Sequence, residues 1–303
     1  VANFPRADLA RAVDYAHRRN VRVYVACNTV PRNDEIERFS DYLQFLKKIE
    51  VDALIVSDLG LFMMIRDECP EMELHVSTQA NISNYADCLA WHRLGAKRVV
   101  LARELTFDEI TQIRLRTPGS LEIEAFVHGA MCVSHSGRCL LSNFMTGRDA
   151  NRGNCAQACR WKYNLVEEKR PGQYMPVEET DTGTFIFNSK DLCMIDHVPD
   201  LISAGITSFK IEGRVKTEYY VACVVAAYRR AIDACFSDLG EYERILPGLR
   251  EEVCKVSHRP YFTGFYYGDQ KSESMNFNES GYIRDYEVSG IVTGYDYVRG
   301  CVV

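Results

Sequence analysis

The chain has 303 residues, of which 47% are hydrophobic and 26% charged, and it carries a formal net charge of −6. This is ordinary globular composition, and the acid excess excludes a polycation, so any nucleic-acid contact has to come from a local basic patch. No stretch approaches the roughly 18 consecutive apolar residues of a membrane-spanning helix, and no charged segment followed by an apolar run opens the chain.

The chain starts at Val1 without a methionine and reads as a fragment whose natural start lies upstream. Residues 8–19 place Leu9, Ala12, Val13 and Ala16 at helical spacing, and Val21–Asn28 reads as a buried strand. Residues 34–48 are helical again through Ile36, Phe39, Leu43 and Leu46. Ala53–Asp58 is the next strand, followed by an apolar helix over 59–67. A strand over 73–79 leads to a helix over 83–94 that ends at Gly95. A strand over 98–104 leads to a helix over 107–115 capped by Thr106, and a strand over 121–127 follows.

The rhythm then breaks from His128 to about Thr184. It resumes with a strand over 185–188, a helix over 194–204, a strand over 208–212 and a helix over 217–234. Short Val- and Ile-rich strands alternating with helices predict a parallel sheet buried on both faces. Seven strands are visible, and one more before Val1 would make eight. The expected fold is therefore α/β, a TIM-like (β/α)8 barrel with its first strand missing from this chain. It occupies 1–256, with a cysteine-rich insertion over 128–184. From 257 the composition turns to Tyr, Phe and Gly, and 257–303 reads as the start of a small C-terminal β-module.

In such a barrel the chemistry sits at the C-terminal strand ends. Asn28, Asp58, Gln79, Arg103, Glu104, His128, Asn188, Lys190, Asp191, Glu212 and Arg214 all fall there. Any one of them reads equally well as loop solvation or a helix cap. The concentration of amides and charges is what points to a site.

Of the twelve cysteines, Cys27, Cys88, Cys223 and Cys235 stand singly where a small buried hydrophobe would serve. That usage fits a reducing, cytoplasmic compartment. Cys132, Cys139, Cys155 and Cys159 are grouped in the insertion, with Cys193 following. Clustered thiolates select zinc or iron–sulfur centres. No pair of C-x2-C motifs is present, which makes structural zinc the weaker option. Spacing alone favours Cys159 over Cys193 as a fourth ligand. The alternative is a loop held by buried thiols. Over 138–170 seven Lys/Arg stand against three acids, with Trp161 and Tyr163 among them. Cations and aromatics together suit single-stranded RNA, and equally suit a solvated flap.

The runs Phe126–Ser142 and Arg148–Arg160 resemble the signature of the collagenase-like peptidase family, the thirty-second of the peptidases of unassigned mechanism. His75–Gln79, Ala102–Leu105, Asn188–Leu192 and Lys210–Arg214 match its other landmarks. The resemblance covers about residues 1 to 270. It implies a TIM-like barrel and, from the family's better-understood members, oxygen-independent hydroxylation of RNA or of a quinone precursor. The best-matching activity is prephenate-dependent C5 hydroxylation of the tRNA wobble uridine. The resemblance further implies a 4Fe-4S cluster held by Cys132, Cys139, Cys155 and Cys193, with prephenate as co-substrate and tRNA as partner. By position and residue type, Glu104, His128 and Glu212 would move protons. Arg103, Lys210 and Arg214 would hold carboxylates, and Asn28, Gln79 and Lys190 would line the substrate site. The rival readings are a metallo- or thiol-dependent peptidase and a non-catalytic cluster subunit that works with a related partner. The sequence has neither H-E-x-x-H nor G-x-S-x-G.

Overall fold

The computed structural model describes residues 4–132, 134–135, 138–161, 164–165, 175–176, 190–268, 282–287, 290, 294–296 and 301–302. The expected strand over 185–188 lies outside them, as do Lys162, Tyr163, Glu167, Glu168, Lys169, Arg170 and Asn188.

The elements run in chain order as α1 (Arg6–His17), β1 (Tyr24–Cys27), α2 (Asn33–Lys48), β2 (Ala53–Val56), α3 (Leu59–Glu68), β3 (Leu74–Val76), α4 (Tyr85–Arg93), β4 (Arg98–Val100), α5 (Phe107–Leu115) and β5 (Glu122–Ala130). They continue with α6 (Leu141–Thr146), β6 (Asn164–Leu165), β7 (Met175–Pro176), β8 (Asp191–Cys193), α7 (Val198–Ser203), β9 (Ser208–Ile211), α8 (Glu218–Ser237), α9 (Leu239–Cys254), β10 (Tyr261–Phe262), β11 (Tyr295–Asp296) and β12 (Cys301–Val302).

The chain packs as two compact units. The first comprises Val1–Glu212 and Pro260–Ser280, the second Gly213–Arg259 and Gly281–Val303. A boundary at 256/257 is where composition changes; the packing changes after Glu212 instead.

In the first unit β1 to β5 are paired in chain order, every step parallel. β2, β3 and β4 are almost wholly buried because helices cover the sheet. Leu43 and Leu46 of α2 and Phe62 and Ile65 of α3 are buried in that cover, each worth about 1.5–3 kcal/mol of transfer free energy. Phe62 meets Trp91 of α4 edge-on at 5.1 Å. Helix starts follow the sequence signals. Thr106 accepts from the Glu109 amide, and Glu109 returns a carboxylate to the Thr106 amide at 2.8 Å. Thr106→Ala is expected to lower stability by about 1 kcal/mol in urea unfolding, with little change elsewhere.

β5 is longer than expected and is the hinge of the topology. Its first half pairs with β4, and β9 runs parallel along its other edge from Glu124 to His128. Its last residues pair antiparallel with β8, His128 opposite Cys193. β10 then adds parallel to β8. The path β1-β2-β3-β4-β5-β8-β10, with β9 on β5, does not close. A complete eight-stranded barrel is thus not what the described residues form. An antiparallel β8 interrupts the parallel progression, and the outer edge of β1 has no described strand against it. The fold is α/β with a mostly parallel sheet.

Two further differences stand out. The aromatic stretch after Pro260 belongs to the first unit: Tyr266 donates its hydroxyl to the Phe126 carbonyl at 2.6 Å, and the Phe107 amide donates to the Tyr266 carbonyl. Burial pushes the Tyr266 phenol up. Helix α9, absent from the expected elements, buries Tyr242, Leu249 and Val253. Pro247 inside it, with Gly240 and Gly248, masks its periodicity. In the second unit α8 and α9 pack together, β11 pairs with β12, and His258 forms a bridge with Ile283.

Candidate functional site

Side chains at alternate positions of β5 share one face, and β4 and β9 bring charges to the same face. Arg98 donates to Glu122 at 2.6 Å and to Glu124 at 2.9 Å. Lys210 donates to Glu124 at 2.6 Å, and Ser208 to the same carboxylate at 2.8 Å. Glu124 is buried. Burial pushes its pKa up, but Lys210, Ser208 and Arg98 outweigh this and hold it below the usual carboxylate range. Tyr24 and His75 extend this polar layer, with the Arg98 guanidinium 5.2 Å from the Tyr24 ring and His75 packed edge-on against it. Burial lowers the His75 pKa. Lys210, expected to hold a substrate carboxylate, is placed here against Glu124. The alternation Glu122-x-Glu124 in a strand was the available signal for this network.

One step toward the strand ends, Arg103 lies with its guanidinium 3.7 Å from the Phe126 ring. It donates to the Ala130 carbonyl at 2.9 Å and to Glu212 at 3.4 Å, while its buried Nε has no partner. Glu212 also presses on Gly129, whose φ is +107°; a Cβ there would meet the Glu212 carbonyl oxygen at 2.5 Å. His128 is buried, and its Nε2 lies 3.4 Å from the Tyr261 hydroxyl. Tyr261 was not among the expected site residues because its strand was assigned to a separate module. Glu104 lies 3.9 Å from His135. Arg103, Glu212, His128 and Tyr261 thus come together around the end of β5.

Asn28 fastens three strand ends. Its amide donates to Ser77 at 2.9 Å, and its carbonyl accepts from Ser57 at 3.1 Å. Gln79 sits in a 3-10 turn after β3, its carbonyl accepting from Arg138 at 3.0 Å and its amide oxygen buried without a partner. Asp58 caps α3. Lys190 is half-buried just before β8, and Asp191 is buried within it. Arg214 belongs to the second unit.

The cysteine loop is tied down by its own polar groups. Asn151 brackets Cys139, accepting from its amide at 3.1 Å and donating to its carbonyl at 3.0 Å. Asn151 also accepts from the Val30 amide through its carbonyl, and Arg152 pairs with Glu35 at 2.5 Å. Arg148 donates to the Cys155 carbonyl, and the Gln157 amide donates to the Cys155 sulfur at 3.3 Å. Burial pushes the Cys132 thiol up; Arg103 works against this, while Cys139 and Cys155 are near enough to add to it. Three thiols therefore share one electrostatic neighbourhood, with backbone N–H groups on two of the sulfurs, Gln157 on Cys155 and Ser134 on Cys132. This donor set suits a thiophilic metal centre. Among the described residues, no group of three or more His, Cys, Asp or Glu is drawn in to metal-holding geometry. Cys193 is placed by β8 opposite His128. No described cysteine is in a disulfide, and Cys27, alone at the end of β1, is pushed up to about 12 by burial.

A mostly parallel α/β unit, with a thiol-bearing loop laid over the C-terminal ends of its strands, defines the class. The chain belongs to Peptidase family U32, whose profile it matches over residues 1–276. It is 38% identical to the tRNA hydroxylation protein P1 of Bacillus subtilis, over 97% of this chain and 69% of that protein. It is 40% identical to an uncharacterized protease of Methanocaldococcus jannaschii, over 98% of this chain and 72% of the relative. To the 23S rRNA 5-hydroxycytidine synthase of Escherichia coli it is 35% identical, over 91% of this chain and 41% of that enzyme. No described helix is long and apolar enough to cross a membrane.

Proposed function

We propose that this chain carries the catalytic portion of an oxygen-independent RNA hydroxylase, in its finest form a prephenate-dependent C5 hydroxylase of the tRNA wobble uridine. The observation that carries the proposal is relatedness to proteins named for tRNA hydroxylation, 38% and 37% identical over more than nine-tenths of this chain. The exposed surface supports it: Leu140 and Phe144 lie one helical turn apart and uncovered, with Trp161 and the cations Arg138 and Arg148 in the same loop region. Aromatic faces and guanidinium groups are what an unstacked single strand binds.

On this reading Cys132, Cys139, Cys155 and Cys193 hold a 4Fe-4S cluster. When bound, the cluster supplies electrons or a Lewis-acidic iron for the oxygen donor. Arg103, already fixed by Ala130 and Glu212, offers a guanidinium edge to a carboxylate such as those of prephenate. Glu212, Glu104 and His128 are the groups positioned to exchange protons.

Anaerobically purified protein is expected to contain about four irons and four acid-labile sulfides per chain. Cys132→Ala or Cys155→Ala should abolish both, and loss of the gene should remove a hydroxylated uridine from tRNA. Absence of iron after anaerobic reconstitution would sink the hydroxylase. The second reading, a collagenase-like peptidase, draws on the 40% identical relative described as an uncharacterized protease. The half-buried Cys132 thiol, pushed up by desolvation, is unlike the activated thiolate a thiol peptidase requires. Hydrolysis of denatured collagen by the metal-free chain would favour that reading.

A further inference from the structure

Between the C-terminal ends of β1, β2 and β3 and the cysteine loop lies a cavity of about 550 Å³. One wall carries Val30, Ser57, Asp58 and Gln79, the other Arg138, Cys139, Leu140, Asp149 and Arg152. Its volume falls within the range of small-molecule sites, roughly 300–1,000 Å³. The loop that forms the second wall is fastened across the strand ends by Val30 to Asn151, Arg138 to Gln79 and Arg152 to Glu35, so the cavity is a built feature.

Two of its lining side chains have unmet polar atoms. The Gln79 amide oxygen and the Arg152 Nη1 are buried and have no hydrogen-bond partner. Each such atom is destabilising unless something enters to satisfy it. The lining carries three guanidinium groups against two carboxylates. Asp58 and Asp149 are both engaged by backbone amides, those of Leu61 and Asn151. Arg32 adds a third guanidinium to those of Arg138 and Arg152. Val30, Pro31 and Leu140 supply an apolar surface beside them. A group with a flat apolar face, a hydrogen-bonding edge and an anionic tail meets all three demands, and an amide side chain is well suited to a base edge.

We propose that this cavity seats one nucleotide unit of RNA, its base against Val30, Pro31 and Leu140 with its edge toward Gln79, and its phosphate toward the arginines. The inference rests on the RNA reading above and adds where the strand is gripped. It requires no metal, so it is testable on the thiol protein.

The experiment uses the whole chain with 4-thiouridine 5′-monophosphate and a short 4-thiouridine oligonucleotide as photocrosslinkers. Crosslinks are located by mass spectrometry, with uridine monophosphate, inorganic phosphate and malonate as competitors. Crosslinks in residues 23–32 or 139–148, displaced by uridine monophosphate and not by equal phosphate or malonate, are the expected result. Gln79→Leu should weaken mononucleotide binding about tenfold. Arg138→Ala, which removes a guanidinium from the lining and the bond to the Gln79 carbonyl, should weaken it as well. Displacement by phosphate or malonate as effective as by the nucleotide would overturn the proposal in favour of a simple anion site. Crosslinks confined to other segments would overturn it and leave the RNA reading standing. Failure of both probes to crosslink anywhere would overturn the proposal, while the RNA reading stands or falls on the tRNA uridine test above.

Discussion

Replacing Glu124 by Gln is expected to destabilise the protein by about 3–5 kcal/mol at neutral pH, the cost of breaking a buried ion pair from one side. Glu124 is the shared carboxylate for Lys210 at 2.6 Å and Arg98 at 2.9 Å, and it accepts a third bond from Ser208. Arg98 keeps Glu122, but the Lys210 ammonium loses its charge partner beneath the Phe126 ring. The pH dependence is specific. The folded pKa of Glu124 is depressed, so its contribution is fully present above the unfolded carboxylate value of about 4.3 and is lost as pH falls through the folded value. The gap between wild type and E124Q in urea unfolding should therefore be widest near neutrality and narrow in acid. A gap unchanged down to the acid limit would show that geometry, and not charge, is what the carboxylate provides.

Gly129→Ala should cost about 2–5 kcal/mol, from backbone strain and overpacking together. Gly129 holds φ at +107°, and an added Cβ would stand 2.5 Å from the Glu212 carbonyl oxygen and 2.9 Å from its Cβ. Those atoms sit directly after β9, whose last residue, Ile211, is paired with β5 at His128, so they cannot swing away as a flexible side-chain tip would. The same substitution at Gly147, with φ +70° and open space around it, isolates the conformational part and should cost about 1 kcal/mol. Thermal unfolding of the two variants separates the terms. Equal losses would mean that the close approach of β5 to Glu212 is not a constraint. If it is one, Gly129→Ala should also disturb Arg103, which bonds Glu212 and the Ala130 carbonyl on either side of it.

The strand–helix rhythm through β5 was legible because each strand is a short apolar run and each helix has a cap and an apolar stripe. Ala53–Val56 and Thr106 show both signals plainly. The cysteine motif was legible for a different reason: thiols grouped at close spacing are chemically distinctive wherever they fold. By itself, then, the sequence determined the α/β class and the family resemblance.

What only the tertiary structure decided depends on pairings distant in the chain, which local periodicity does not encode. β8 could run either way along β5, and it runs antiparallel, which sets His128 opposite Cys193, and the sheet of the described residues stays open. The stretch after Pro260 has the composition of a separate module, yet Tyr261 and Tyr266 return to β8 and the Phe126 carbonyl because the sheet there still had an edge and an acceptor to satisfy. Lys210 looked like a substrate cation until β9 was placed in register with β5. A buried carboxylate within reach takes an ammonium more firmly than solvent does, and that contact exists only once both strands lie in the same sheet.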